Sequence, residues 1–288
     1  MMAEVNKNQP VGVIGAGTMG RGIIQVFAQS GFEVLAYDAA SGAVDTGIEF
    51  IRKQLDRAVS KEKISRADAD AAAGRITAIP SMDAFQPVQI CIEAATERAD
   101  IKKQIFKSVD KVLADSAIRA SNTSSISITE LAAETRNPKR FIGMHFFNPV
   151  PVMKLVEIVM GLDTDEVTFT KVESLAQAVG KTPVRVNDHP GFVSNRILMP
   201  MINEAVLCLQ DGVADAEAID TVMKLGMAHP MGPLRLADLI GLDVCLDILN
   251  VLHRDLGEDK YRPAPLLRKM VQAGRLGNKT KRGFHTYE

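Results

Sequence analysis

The sequence carries almost no net charge: 34 lysines and arginines stand against 35 aspartates and glutamates, a formal balance of −1. A chain so balanced presents no global field for a polyanion, so neither nucleic acid nor an anionic membrane surface is expected as a partner. Cysteine is scarce too. Cys91, Cys208 and Cys245 are scattered and set among apolar residues, a pattern of buried free thiols in a reducing compartment rather than a disulfide frame. With no CxxC pair and no cluster of metal-ligand spacing, no metal is expected. No uncharged apolar run approaches the length of a bilayer span. The polar residues 1–10 lead into a glycine-rich stretch unlike a secretory leader. Internal repeats and low-complexity segments are absent. These exclusions point to a cytoplasmic globular protein. Its 288 residues, 46% of them hydrophobic, suffice for two domains with real cores.

Against that plain background one local pattern stands out. The apolar run 11–14 leads into Gly15-Ala16-Gly17-Thr18-Met19-Gly20, and Ile23, Ile24, Val26 and Phe27 then recur at helical spacing up to Ser30-Gly31. A second strand at 33–37 ends in Asp38. GxGxxG alone is weak; between a strand and a helix, followed by a strand ending in an acid, it is a dinucleotide-binding fingerprint. Gly15 permits the tight turn, Gly17 lets backbone approach a pyrophosphate, and Gly20 lets helix and strand pack closely, while the helix N-terminus donates to phosphate. Asp38 suits a ribose diol and repels a 2′-phosphate. Ala39 and Ala40 offer no cation to neutralise one, so NAD is expected over NADP.

Residues 42–60 read as a helix with Val44, Ile48, Ile51, Leu55 and Val59 on its apolar stripe. Lys53, Arg57 and Lys61 fall four residues apart, either a solvated face or a grip on a phosphorylated substrate tail. A second helix from residue 65 suggests an antiparallel pair protruding from the sheet. Residues 75–79, 88–92, 117–120 and 182–186 read as strands, and 100–113 and 167–179 as helices. Glu93 to Glu97 follow a strand end, where a cofactor would lie. Lys102 and Lys103 occupy a first helical turn, an unfavourable place for cations unless an anion is near. Ser121 to Ser125, with Asn122 among them, could cap a helix or line a polar site.

From residue 187 the alternation of strand and helix stops. A long helix passes through Met199, Ile202, Val206 and Leu209, kinked or restarted at Pro200. Helices at 215–225, 236–252 and 264–273 follow, with a turn-rich connection at 226–233. The expected fold is therefore α/β, with an N-terminal Rossmann-like dinucleotide-binding domain over residues 1–186. A C-terminal all-α domain over 187–288 is suited to oligomer contacts.

The centre of the chain holds two strand-like runs separated by Asn148-Pro149 and Pro151, whose rings fix φ and remove donors. His145 ends the first run and Glu157 lies in the second. If the chain folds back at the prolines the two side chains meet, and a carboxylate in reach orients an imidazole and stabilises its protonated form. A histidine beside an apolar strand is otherwise a satisfied core residue.

The motifs VGVIGAGTMG, ASNTSSISIT, GMHFFNPVPVMKLVEIV, PGFVSNRILMPMINEA, MKLGMAHPMGP and GNKTKRGF, in this order along essentially the whole chain, resemble the short-chain L-3-hydroxyacyl-CoA dehydrogenases, most of all the bacterial 3-hydroxybutyryl-CoA dehydrogenases. The resemblance implies NAD-dependent interconversion of (S)-3-hydroxyacyl-CoA and 3-oxoacyl-CoA. It implies that His145 is the general base, Glu157 its carboxylate partner, Ser124 the donor to the reacting oxygen and Asn195 the residue that orients substrate. Gly15, Gly17, Thr18, Met19, Gly20, Asp38, Glu97, Lys102, Asn122, Asn148 and Lys279 then line the dinucleotide site. Lys61, with Lys53 and Arg57 on its row, meets the CoA phosphates. A homodimer is implied as well. The chain departs from the pattern at Arg235, where relatives often carry an acid, and at Lys281-Arg282, where many have glycine. Two other readings stay open: a dehydrogenase of another 3-hydroxy acid or ester such as 3-hydroxyadipyl-CoA, and a dinucleotide-binding protein without turnover.

Overall fold

Short runs of branched apolar residues build the sheet on which everything else is mounted. The computed structural model describes residues 5–288; residues 1–4, the start of the polar N-terminal stretch, lie outside the described residues. The chain divides into two units, the first ending at Asp188 and the second beginning at His189.

In the first unit, β1 (Val11–Ile14), α1 (Thr18–Gln29), β2 (Val34–Tyr37), α2 (Ala43–Ser60), α3 (Arg66–Gly74) and β3 (Ile76–Ala78) come first. They are followed by β4 (Ile90–Glu93), α4 (Ala99–Val109), β5 (Ile118–Ser121), α5 (Ile128–Ala132), β6 (Phe141–Phe146), β7 (Leu155–Met160), α6 (Glu166–Ala178) and β8 (Thr182–Asn187). The eight strands lie in the order β3-β2-β1-β4-β5-β6-β7-β8. β1 to β6 pair in parallel, β7 runs antiparallel to β6, and β8 follows β7. Central strands β1, β4, β5 and β6 are buried along their whole length, as parallel strands covered on both faces must be. Register brings Ile14 level with Glu93, Glu93 with Ser121 and Ser121 with Gly143, so the loops after β1, β4, β5 and β6 share one edge. That edge is where open α/β sheets bind ligands.

Two expectations are corrected here. The α2–α3 pair does not protrude: Ile51, Leu55, Ala69 and Ala72 are buried in one core with Ile23, Ile24 and Phe27 of α1. The helix expected to run to residue 113 stops at Val109. The next residue, Asp110, turns inward to meet Arg119, which lies fully buried on β5.

In the second unit, α7 (Ser194–Gln210), α8 (Ala216–Gly226), α9 (Pro233–Ile240), α10 (Leu242–Leu256) and α11 (Pro265–Gln272) surround a core of Met199, Ile202, Val206, Leu234, Leu242 and Leu249. α7 runs through Pro200 without restarting. The single helix expected over 236–252 is instead two, broken at Gly241, whose φ of 107° lies outside the right-handed helical region. Asp238 of α9, 1% exposed, accepts from the Phe284 and His285 amides (both 2.9 Å) and from the Tyr287 hydroxyl (2.7 Å), tying residues 284–287 to the bundle. Of the thiols, Cys91 and Cys245 are buried while Cys208 is only half-buried. Among the described residues no helix is long and apolar enough to cross a membrane.

The charged core pair should dominate acid and mutational sensitivity of the first unit. Asp110 accepts from Arg119 Nε and from the Arg136 amide and Nε, each at 2.9 Å. Burial pushes its carboxyl up, but the bonds from Arg136 and Arg119 outweigh burial and hold it below the usual range. Its stabilising contribution is therefore full at neutral pH and is lost as pH falls through that depressed value. Asp110→Ala, which strands a buried guanidinium, should lower unfolding free energy by about 3–5 kcal/mol, read from urea denaturation at neutral pH.

Candidate active site

The loop after β1 is shaped by contacts that only glycine allows. Gly15 has φ 99°, and a methyl group there would lie 2.5 Å from the Ala94 carbonyl oxygen. One on Gly20 would lie 1.8 Å from the carbonyl oxygen of Gly15, so the first turn of α1 rests directly on the end of β1. Gly17 has open space where a side chain would be, and as the N-cap of α1 it offers no side-chain acceptor. The helix start at Thr18 and Met19 thus presents its amides to an anion. Asp38 follows β2 and accepts from the amides of Ala16 (2.8 Å) and Ala40 (2.9 Å). A carboxylate has about four acceptor sites, so the bond to Ala16 fixes the loop while capacity for a ribose diol remains. These residues fit a dinucleotide.

Behind the next strand ends lies a chain of charges that runs from the core to the surface. Glu93, 0% exposed at the end of β4, accepts from Lys102 Nζ and the Ala95 amide (both 2.6 Å) and from the Ser121 hydroxyl (2.7 Å). Lys102, 1% exposed, also lies 3.5 Å from Glu97. The anion that makes a lysine tolerable in the first turn of α4 is therefore supplied by the chain itself. The sequence argument placed Glu93 at a strand end but missed its pairing with Lys102, whose unfavourable position was the signal. Oε1 of Glu97 in turn accepts from the Thr123 hydroxyl (2.7 Å), the Ser124 amide (2.8 Å) and hydroxyl (3.2 Å), and the Ser125 amide and hydroxyl (both 3.1 Å). Burial opposes its charge, yet Lys102 and these donors prevail and hold the Glu97 carboxyl below its ordinary range. The serine segment is thus a site wall gathered round one carboxylate. The helix cap is Ser127, which accepts from the Glu130 amide. Asn122 Oδ1 accepts from the Phe146 amide at 2.9 Å, linking this wall to the end of β6.

There the prolines do fold the chain back. The antiparallel register sets His145 opposite Glu157, and Nδ1 lies 2.8 Å from Oε2, with the two residues 7% and 3% exposed. The Phe147 ring packs on the imidazole at 4.6 Å between centroids. With Nδ1 donating to the carboxylate, the basic lone pair of the imidazole is on Nε2. Asn148 is exposed in the connecting loop.

The remaining expected site residues lie elsewhere in the chain. Lys53, Arg57 and Lys61 are along α2 and at its C-cap, and Lys53 is paired with Glu49 at 2.6 Å on an exposed face. Asn195 is buried in the first turn of α7, its amide bonded to the Gly191 carbonyl at 3.0 Å. Lys279 pairs with Asp243 at 2.5 Å. Arg235 stacks over Tyr287 at 4.8 Å, and Lys281 Nζ donates to the Glu288 carbonyl, so these two of the departing cations are engaged by the C-terminal segment.

A largely parallel sheet with a glycine-lined phosphate cradle, an acid after β2 and a carboxylate-braced histidine on the same unit defines a dinucleotide-dependent dehydrogenase. Residues 10–189 match the family model described as 3-hydroxyacyl-CoA dehydrogenase, NAD binding domain, and residues 191–287 that of the C-terminal domain. The 3-hydroxybutyryl-CoA dehydrogenase of Bradyrhizobium diazoefficiens is 50% identical over 286 residues, 99% of this chain and 97% of its own. That of Clostridioides difficile is 49% identical over 275 residues, covering 96% and 98%. The crystal structure of (S)-3-hydroxybutyryl-CoA dehydrogenase from Ralstonia eutropha superposes with a TM-score of 0.95 at 51% identity, covering 97% of this chain and 99% of that one. The chain belongs to the 3-hydroxyacyl-CoA dehydrogenase family. It is an NAD-dependent oxidoreductase acting on 3-hydroxyacyl-CoA.

The cradle gives a direct test. Gly20→Ala forces a methyl group to within 1.8 Å of the Gly15 carbonyl oxygen and should weaken NADH binding, read by NADH fluorescence titration. Circular dichroism should show the fold retained.

Proposed function

We propose that the protein interconverts (S)-3-hydroxybutyryl-CoA and acetoacetyl-CoA, with His145 as the general base. The observation that carries this reading is the buried 2.8 Å bond from His145 to Glu157 at the same sheet edge as the glycine cradle. A secondary alcohol loses a hydride from C3 and a proton from its hydroxyl, so the site needs a base, a hydride acceptor and a donor for the developing alkoxide. Bound NAD supplies the hydride acceptor at its nicotinamide. His145 Nε2 takes the hydroxyl proton, and Glu157, already hydrogen-bonded to Nδ1, stabilises the imidazolium that results. In reduction the same nitrogen returns the proton to the alkoxide. Ser124, held by its backbone amide on Glu97, turns its hydroxyl from that carboxylate to donate to the reacting oxygen, and Asn195 orients the acyl group.

Asp38, the glycines, Thr18 and Met19 hold the dinucleotide, with Glu97, Asn122, Asn148 and Lys279 lining its site and Lys102, buried against Glu93, supporting Glu97 from behind. Lys61, assisted by Arg57 and Lys53, receives the CoA phosphates; Lys53 contributes least, because Glu49 already pairs with it. Residues 1–186 serve the cofactor, and residues 187–288 complete the substrate site and carry a homodimer contact. That contact is supported by the apolar surface left on and beside α8, where Val222, Leu225 and Met227 are 60%, 81% and 62% exposed. The buried, unpaired thiols agree with a cytoplasmic setting.

Purified enzyme should oxidise NADH rapidly with acetoacetyl-CoA, slowly with NADPH, and not with free acetoacetate. His145→Gln should cut kcat by about 10²–10⁴-fold while NADH binding persists. Near-normal turnover in that variant would refute the base assignment, and better turnover of a longer dicarboxylic ester would move the substrate to the 3-hydroxyadipyl-CoA type. Leu225→Asp should convert a dimer to monomer in sedimentation velocity; a sedimentation profile unchanged from wild type would remove α8 from the interface.

A further inference from the structure

Lys181 directly precedes β8, is not among the residues assigned above, and is 8% exposed. Its ammonium donates to the carbonyl of Val150 and, at 2.8 Å, to that of Met153. Among the described residues no carboxylate pairs with it. A lysine buried without a counter-ion is costly, and burial alone pulls this one below the usual lysine range. Both of its acceptors belong to residues 147–154, the loop that joins β6 to β7.

The other side of that loop is fixed independently. Val150, 1% exposed, occupies the space left by the absent side chain of Gly22: a methyl group there would lie 2.8 Å from Val150 Cβ and 3.6 Å from Pro151 Cδ. Gly22 lies on α1, the helix whose N-terminus forms the phosphate cradle. The loop is therefore clamped between the dinucleotide helix and a buried ammonium. Its ends enter the sheet at the Phe146–Val156 rung, and the next rung is His145–Glu157.

We propose that Lys181 is a positioning residue for the reaction, setting the His145–Glu157 pair against α1 through the loop that Val150 and Met153 anchor. This rests on the reading of His145 as the base. Lys181 touches no reacting atom; it holds the loop where the two strands must reverse. A misplacement of about 1 Å at a reacting group can cost about 100-fold in rate, so the clamp has a kinetic consequence separate from its contribution to stability.

The test compares wild type with Lys181→Met, which keeps length and removes the charge, at a temperature well below each protein's unfolding midpoint. We expect kcat for acetoacetyl-CoA reduction to fall about tenfold or more with KM for NADH within about twofold. Hydrogen–deuterium exchange should accelerate in peptides covering residues 141–160 and stay unchanged in β1 and β4. Val150→Ala, a milder change on the opposite side of the loop, should give the same pattern at smaller amplitude, and it decides the matter if Lys181→Met does not fold. A lowered midpoint with kcat and local exchange unchanged would reduce Lys181 to a purely structural residue and overturn the proposal. If the wild type itself fails to turn over acetoacetyl-CoA, the substrate reading fails; exchange then still decides the clamp, and unchanged protection over 141–160 in both variants overturns it.

Discussion

The bond between His145 and Glu157 depends on a reversal of the sheet, in which β7 and β8 run against the six strands before them. In a continuing parallel sheet, the residue after β6 would enter a crossover helix, and no carboxylate of the next strand would face the imidazole at hydrogen-bond distance. Reversal through a short loop puts the two residues directly opposite, where antiparallel pairing brings side chains closest. The same reversal takes β8 with it and leaves the buried Lys181 beside the loop. The glycine loop and the His145–Glu157 pair thus belong to one sheet edge.

Burial of charge is the second constraint. Glu93, Lys102 and Glu97 form an alternating series beneath the serine segment, and Asp110 with Arg119 forms another at the far end of β5. Ion pairs of this kind add little net stability over a well-packed apolar core, but breaking one partner leaves a stranded charge. What they provide is direction. Glu97 converges five donors onto a single oxygen, which no apolar contact could arrange, and so determines where Ser124 stands.

Much of this was legible in the chain. The glycine loop, its flanking strand and helix, and Asp38 are local features, read from neighbours in sequence. The meeting of His145 with Glu157 was readable because prolines mark the reversal and the residues lie on either side of it. Legibility failed where distant parts decide the outcome. Ile51 and Ala69 look like one face of a protruding pair until α1 is there to receive them. Gly241 looks like a tolerable glycine within a helix, and only its positive φ reveals the break. Glu93 was visible as a strand end, yet its partner sits a helix away and its burial could not be counted. Lys181 resembles any surface lysine after a glycine turn.

Lys102 and Glu93 also constrain how such a chain can change over generations. Each is tolerable in the interior only because the other is there, so a substitution at either position alone passes through a state with a bare charge in the core. A neutral replacement of the pair needs two coordinated changes, with Ser121 and Ala95 then deprived of their acceptor. The cluster therefore behaves as a lock in sequence space: a single change in this corner strands a charge, as a change on an exposed helix face does not.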